Sequence, residues 1–321
     1  MRDAQPRLGI VIIGRNEGER LVACLRSVGA VPARIVYVDS GSTDGSVAEA
    51  RRAGAVVVSL DTRVAFTAAR ARNAGFQRLL EDGPCDAVQF IDGDCALREG
   101  WLDFASNYLA ANPKVAVVCG RRRERFPDAT IYNWLIDREW NTPVGQAKAC
   151  GGDAMMRASA FVEVGGFNPN LIAGEEPELC VRLRQSGWEV WRLDHEMTWH
   201  DAAITRFGQW WKRARRAGHA AAEGAALHGQ PPERHGVAQT RRALAWGLVL
   251  PALVIIGALI TPWALLLALL WPLKMARLIL RGHPWQEAIA FTLGNVAEAI
   301  GALEFHWRKL TNGRIALIEY K

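Results

Sequence analysis

The chain is short of the residues that mark several common classes. Its six cysteines form no C-x-x-C pair and have no histidine at zinc-module spacing, and histidine itself occurs only seven times in 321 residues. A structural zinc module is therefore excluded, and the cysteines are expected to be buried thiols of a reducing compartment rather than a disulfide set. There is no G-x-G-x-x-G run and no Walker lysine, which argues against a dinucleotide fold or an ATPase. The first apolar run, Leu8–Gly14, is too short for an export leader and passes directly into the polar RNEGER, so no outward targeting is expected from it. Tyrosine is rare, four against thirteen tryptophans, and several of those tryptophans flank apolar runs late in the chain.

The remaining composition is that of a globular chain. Half of the residues are hydrophobic and 22% are charged, which excludes a disordered tail or a small stapled module. The formal net charge of +6 suits a negatively charged partner: nucleic acid, anionic lipid or a phosphorylated substrate.

Along the chain, β-branched runs alternate with helical patterns. Strands are expected at residues 8–14, 35–38, 55–60 and 87–94, with helices at about 17–28, 46–53 and 65–80. Strand, helix, strand, helix is the signature of an α/β sheet with mostly parallel strands, and ligands bind such sheets at the carboxyl ends of the strands. Beyond this the pattern loosens: a strand at 115–120, a basic loop RRRERFP, and a short helix at 176–186. The segment TRFGQWWKRARRAGHA (205–220) mixes tryptophan with cations at helical spacing, as an amphipathic interfacial helix does. A polar stretch, HGQPPERHG, follows as a linker.

Between Arg242 and Lys274 there is no charged residue, a stretch longer than the roughly 20 positions that one membrane-spanning helix needs. Pro251, Pro262 and Pro272 divide it, and cations flank both ends. That charge placement favours a hairpin entering the bilayer from the cytoplasmic side, with arms at about 244–260 and 263–280. The expected organisation is an α/β domain over 1–204, an interfacial helix and linker over 205–240, and membrane-associated helices over 241–321.

Two loops at strand ends carry the chemistry. VDSGSTDGS (38–46) places Asp39 and Asp44 around a flexible Gly/Ser turn, where carboxylates could accept from a base and ribose while backbone amides stay free for phosphate; it also reads as a helix-capping turn. Asp92-Gly93-Asp94 ends the fourth strand with two carboxylates one residue apart, oxygen donors suited to Mg2+ or Mn2+ on a diphosphate. With these motifs in this order, the segment from Leu8 to Asp201 resembles the family 2 inverting glycosyltransferases of the GT-A fold.

The resemblance implies roles. Arg15 and Glu17 would approach the nucleotide, Asp39 and Asp44 the base and ribose. Arg72 and Asn73, in AARARNAG, would pack beside the ribose and diphosphate. Asp92 and Asp94 match the D-x-D pair, Asp94 being the metal ligand together with His200 of MTWHD. Gly152 and Asp153 match the glycine pair and donor-sugar segment. In AGEEPELCVRL the acidic pair reads Glu175-Glu176 rather than the commoner Glu-Asp, and Glu176 takes the place of the catalytic base. Glu178 and Arg182 form an i, i+4 pair that is either structural or in contact with acceptor, and His195 is read as structural. Arg121 to Arg125 and Trp140 lie where relatives build acceptor and donor-sugar contacts. Gln209 to Arg213 match the Q-x-x-R-W segment of processive synthases only loosely, which argues against processive polymerisation.

The implied activity is metal-dependent transfer of a hexose from a nucleotide-sugar, UDP-linked in the commoner case, to a hydroxyl of a lipid-linked or glycan acceptor at the inner (cytoplasmic) membrane, with no role for nucleic acid. A nucleotidyltransferase and a silent membrane-bound binding protein are the competing readings.

Overall fold

The computed structural model describes residues 7–29, 33–64 and 66–311. Ala65, where the third expected helix begins, and residues 312–321 of the expected tail lie outside the described residues. The chain divides into two compact units. One comprises the residues up to Ala129 with Ile136–Leu171 and Glu175–Ala203; the other comprises Thr130–Leu135, Ile172–Gly174 and the chain from Ile204 on.

The first unit is built on one nine-stranded sheet. Its strands are β1 (Leu8–Gly14), β2 (Arg34–Asp39), β3 (Val56–Ser59), β4 (Ala87–Asp92), β5 (Cys95–Leu97), β6 (Val115–Glu124), β7 (Gly145–Gln146), β8 (Ala154–Arg157) and β9 (Glu189–His200). They lie in the order β3-β2-β1-β4-β8-β6-β9-β5, with β7 added beside β9. The first four pair in parallel, as the alternating pattern predicts. From β8 onward the sheet is mixed: β8 runs antiparallel to both β4 and β6, while β6 and β9 are parallel.

Helices α1 (Glu19–Val28), α2 (Ser46–Arg52), α3 (Ala68–Glu81), α4 (Trp101–Ala111), α5 (Ile131–Glu139), α6 (Ala158–Glu163) and α7 (Glu175–Gln185) join the strands. In α1, Leu21, Cys24, Leu25 and Val28 recur at helical spacing and are buried. Helix α3 starts where the Thr67 hydroxyl accepts the Arg70 backbone N–H at 3.1 Å. Tyr37, Phe90, Phe161 and Phe167 fill the core with the β-branched residues of β1, β2 and β4.

Two expectations change here. The basic run after Gly120 is strand rather than loop: β6 continues through Arg121, Arg122 and Arg123 to Glu124, because its backbone pairs with β9 and each arginine meets an acid. The strand expected to reach Asp94 stops at Asp92, since Gly93 and Asp94 turn the chain into β5.

The second unit is helical: α8 (Phe207–His228), α9 (Val237–Leu244), α10 (Leu250–Ile260), α11 (Leu270–Leu280) and α12 (Trp285–Thr311). The helix expected over 205–220 runs on to His228, and it buries Trp210, Gly218, His219 and Ala222. Small residues let α8 and α12 cross closely: a Cβ on Gly218 would overlap the Glu298 backbone, and one on Gly301 would overlap that of Arg215. Ion pairs from Arg215 to Glu304 and from Arg242 to Glu298 flank the crossing.

Among the described residues, three helical stretches are long and apolar enough to cross a membrane: Val237–Ile260, Pro262–Leu280 and Trp285–Thr311. The first two cover the expected arms; the third, studded with Glu287, Glu298 and Glu304, had no distinct signal in the sequence. Leu259, Ile260, Trp263 and Leu280 are each at least 76% exposed, large apolar side chains that water would not favour.

Candidate active site

Strand register gathers the acids on one edge of the sheet. Gly14 lies opposite Asp39 and Ile13 opposite Asp92, so the carboxyl ends of β1, β2 and β4 coincide. In the first group Asp39 is buried, and its Oδ2 accepts the backbone N–H groups of Gly41 and Ser42 at 3.0 and 3.1 Å. Asp44 is exposed and accepts from Ser46 and Gly18, at 2.9 and 3.1 Å, which ties the two loops together and holds its carboxyl below the ordinary range. The capping reading of this turn is not met as expected: Asp44 accepts from Ser46, the first residue of α2, but the N-cap position is Gly45, which makes no side-chain cap bond. Asn16 bridges to the same loop: its backbone N–H donates to Ser42 Oγ, and its side-chain oxygen accepts from Thr43. Glu17 lies against Gly14 and Gly93 and pairs with Arg20 at 2.8 Å, while Arg15 is exposed at the strand end.

The second group surrounds a buried guanidinium. Arg72, on α3, is 2% exposed. Its Nη1 donates to Glu175 Oε1 at 3.0 Å and to Glu176 Oε1 at 2.8 Å, and its Nη2 donates to Asp92 Oδ1 at 2.8 Å. Arg122 reaches Asp92 Oδ2 at 3.2 Å and Asp153 Oδ2 at 3.3 Å. Asp153 is fully buried and also accepts from the Asp92 backbone N–H and the Thr198 hydroxyl. Gly152 closes the cluster, for a Cβ there would fall 2.5 Å from Arg72 Nη2, 2.9 Å from Asp92 Oδ2 and 3.2 Å from Glu176 Oε1. Asn73 points elsewhere: its amide exchanges hydrogen bonds with the Phe167 backbone at 2.7 and 2.9 Å.

Charge balance sets the protonation states. Burial pushes Asp92 up, but Arg72 and Arg122 outweigh it and hold its carboxyl below the ordinary range. Glu176 goes the other way: burial, then the neighbouring Glu175, raise it to about 7 against the pull of Arg72. A carboxylate poised there takes up and releases a proton near neutrality.

The third group is formed by topology. Strand β5 pairs with the end of β9 so that Cys95 faces His200, and β6 brings Glu124 to the other side of the same residue. Asp94 Oδ1 and His200 Nε2 are 3.4 Å apart, and both residues are buried. Glu124 Oε2 lies 3.6 Å from the other ring nitrogen and accepts the Ala202 backbone N–H. Trp140 packs edge-on to His200 and stacks under Arg122. Asp94, Cys95 and His200 present ligand atoms within 4.8 Å of one another. Burial keeps Cys95 a thiol, which leaves a carboxylate and an imidazole as the donors. A carboxylate and an imidazole can together hold a divalent metal ion, and the surrounding excess of carboxylates over guanidinium groups favours a further cation.

Glu178 pairs with Arg182 at 2.7 Å in one helix, and His195 stacks on Phe104 away from these groups.

Residues 9–161 match the model of Glycosyl transferase family 2. This stretch is similar to the family 2 glycosyltransferases. The succinoglycan biosynthesis protein ExoA of Rhizobium meliloti (strain 1021) is 29% identical over 202 residues, 58% of this chain and 60% of that protein. Glycosyltransferase AglE of Haloferax volcanii is 22% identical over 203 residues, 59% of this chain and 65% of that one. The chain thus spans less than two thirds of the length of these curated relatives. Among solved structures, the mannosyltransferase PcManGT from Pyrobaculum calidifontis, in complex with GDP-Man and Mn2+, superposes with a TM-score of 0.68 at 20% identity, covering 95% of this chain and 88% of that one. This likeness shows the GT-A fold.

Sequence reasoning had only a loose hold on Arg122, Glu124 and Trp140, and gave Glu175 and Cys95 no role. For Arg122 and Glu124 the available signal was the two-residue period of a strand, which puts both on one face of RRRE once that run is recognised as strand.

Proposed function

We propose that the protein is a metal-dependent inverting glycosyltransferase that moves a hexose from a nucleotide-sugar to a hydroxyl of a lipid-linked or glycan acceptor at a membrane. The observation that carries the reading is Glu176. It is a partly buried carboxylate poised at about 7, in one cluster with Asp92 and Gly152, at the carboxyl edge of a sheet that resembles those of family 2. Glu176 takes the proton of the acceptor hydroxyl as that oxygen attacks the anomeric carbon, and the nucleoside diphosphate departs from the opposite face. A single displacement inverts the configuration.

The loop carrying Asp39 and Asp44, with Arg15 and Glu17, receives the nucleoside, and Gly152 borders the sugar; Asp153, expected beside it, is fully buried and instead accepts from Thr198 and pairs with Arg122. Asp94 and His200 would hold Mn2+ or Mg2+, which supplies positive charge against that developing on the diphosphate. UDP is the donor nucleotide expected from the sequence; the GDP-mannose in the structural neighbour makes guanosine the second arm of any donor panel. The apolar helices embed in the bilayer with their cationic flanks, Arg241, Arg242, Arg277 and Arg281, on the cytoplasmic side.

Replacing Glu176 with Gln tests the reading. General-base assistance accounts for about 10² to 10⁴ in rate, so turnover should fall by that factor while donor affinity is kept. Equal losses in turnover and donor affinity would refute the assignment. Formation of a nucleotide-sugar instead of a glycoside would point to a nucleotidyltransferase.

A further inference from the structure

We propose that Arg72 is a positioning residue for the base, holding Glu176 between Asp92 and Gly152, rather than a group that touches the donor. The proposal rests on the reading of Glu176 as the base. Both terminal nitrogens of Arg72 are already engaged: Nη1 donates to Glu175 and Glu176, and Nη2 to Asp92. The guanidinium is 2% exposed and packs over the Phe167 ring, with Gly152 too close to admit even a methyl group. A side chain so enclosed has no face left for a phosphate or a ribose. Its position does fix where the Glu176 carboxylate can lie, because the planar fork sets three oxygens at once.

The same contact links two parts of the site that come from distant segments. Asp92 ends β4 and Glu176 opens α7, and among the described residues Arg72 is the side chain that bonds to both. The charged and titratable groups facing Glu176 are Arg72 from α3, Glu175 from its own helix, Asp92 from β4, and the Cys150 and Cys180 thiols behind it. Arg72 favours ionised Glu176, whereas Glu175 opposes it. The two neighbours therefore pull the acid limb of the turnover profile in opposite directions, a signature that a purely structural arginine lacks.

The test measures turnover against pH, and donor affinity, for the full chain in detergent, comparing Arg72→Gln, Arg72→Lys, Glu175→Gln and Glu176→Asp with the unaltered protein. Arg72→Gln should move the acid limb up by about one pH unit or more and lower turnover, with donor affinity unchanged. Glu175→Gln, which removes a buried like charge and keeps the shape, should move the limb down. Arg72→Lys keeps the charge without the fork, so the limb should stay while turnover drops. Glu176→Asp withdraws the carboxylate from Nη1 and should lose turnover as well.

A loss of donor affinity in the Arg72 variants with an unmoved limb would overturn the proposal in favour of direct donor contact. Should Arg72→Gln fail to fold, an unmoved limb in Glu175→Gln overturns it alone. Transfer that survives Glu176→Gln would instead refute the base assignment, so the two failures are separable.

Discussion

The two halves of the sheet are made of different material. Strands β1, β2 and β4 bury Ile10, Val11, Ile12, Val36, Val38, Val88 and Ile91 in a continuous apolar layer. Strands β6 and β9 bury Val117, Val118, Val190 and Leu193 in the same core but also carry Arg121, Glu124, Arg192, Thr198 and His200 to buried positions. In the first half stability comes from transfer of apolar surface out of water, which tolerates imprecision. In the second it depends on each charge meeting its partner, because an unmatched ion in a low-dielectric interior is severely penalised. The apolar half supports Asp92 at the end of β4; the charged half brings Arg122, Glu124 and His200 to the site.

The sharpest way to break this contrast is Arg122→Ala, which leaves buried Asp153 without a cation and Asp92 with Arg72 alone. Chemical denaturation should show a loss of about 3 to 5 kcal/mol, and adding Asp92→Asn to that variant should recover part of it. In the apolar half, Ile12→Ala should cost about 3 kcal/mol through the cavity it leaves, with no recovery from any charge change. If Arg122→Ala proves milder than Ile12→Ala, the division between the halves is wrong.

The same division governs how much could be read from the amino-acid sequence. The buried runs LGIVIIG, RIVYVD and AVQFID announce strands by composition alone, and the acids at their ends are visible as motifs. RRRE and EVWRLDHEMTWH do not, since arginine and glutamate normally mark solvent and nothing local tells that partners wait across the sheet. Asp94 and Glu176 stand out in the sequence because they belong to local motifs, an acid pair at a strand end and another at a helix start; Glu175 was seen as half of the second pair, yet its hold on Arg72 was not, because that contact joins positions 103 apart in the chain. Tail helix α12 was hidden for a related reason, its glutamates interrupting an apolar face whose small residues meet α8.

Smaller effects sharpen the comparison. With the base protonated below about 7, turnover should climb about tenfold per pH unit below that value and level off above it, as a pH profile of kcat will show. The sign also has a stability counterpart. Because the folded-state value lies above that of a free glutamate, this group makes folding less favourable as pH rises from about 4.5 towards 7. Thr67→Ala should cost about 1 kcal/mol by removing the cap of α3, with turnover following only as far as Arg72 shifts.

The central claim is best tested by nucleotide release. Full-length protein in liposomes would be offered a panel of UDP- and GDP-sugars, with Mn2+, Mg2+ or a chelator, with and without a lipid extract, alongside Asp94→Ala and Glu176→Gln. The account predicts release from one donor class that needs the metal and the extract and is lost in both variants. Release that persists with the chelator and in Asp94→Ala, or measurable donor binding with no release from any donor, would contradict it.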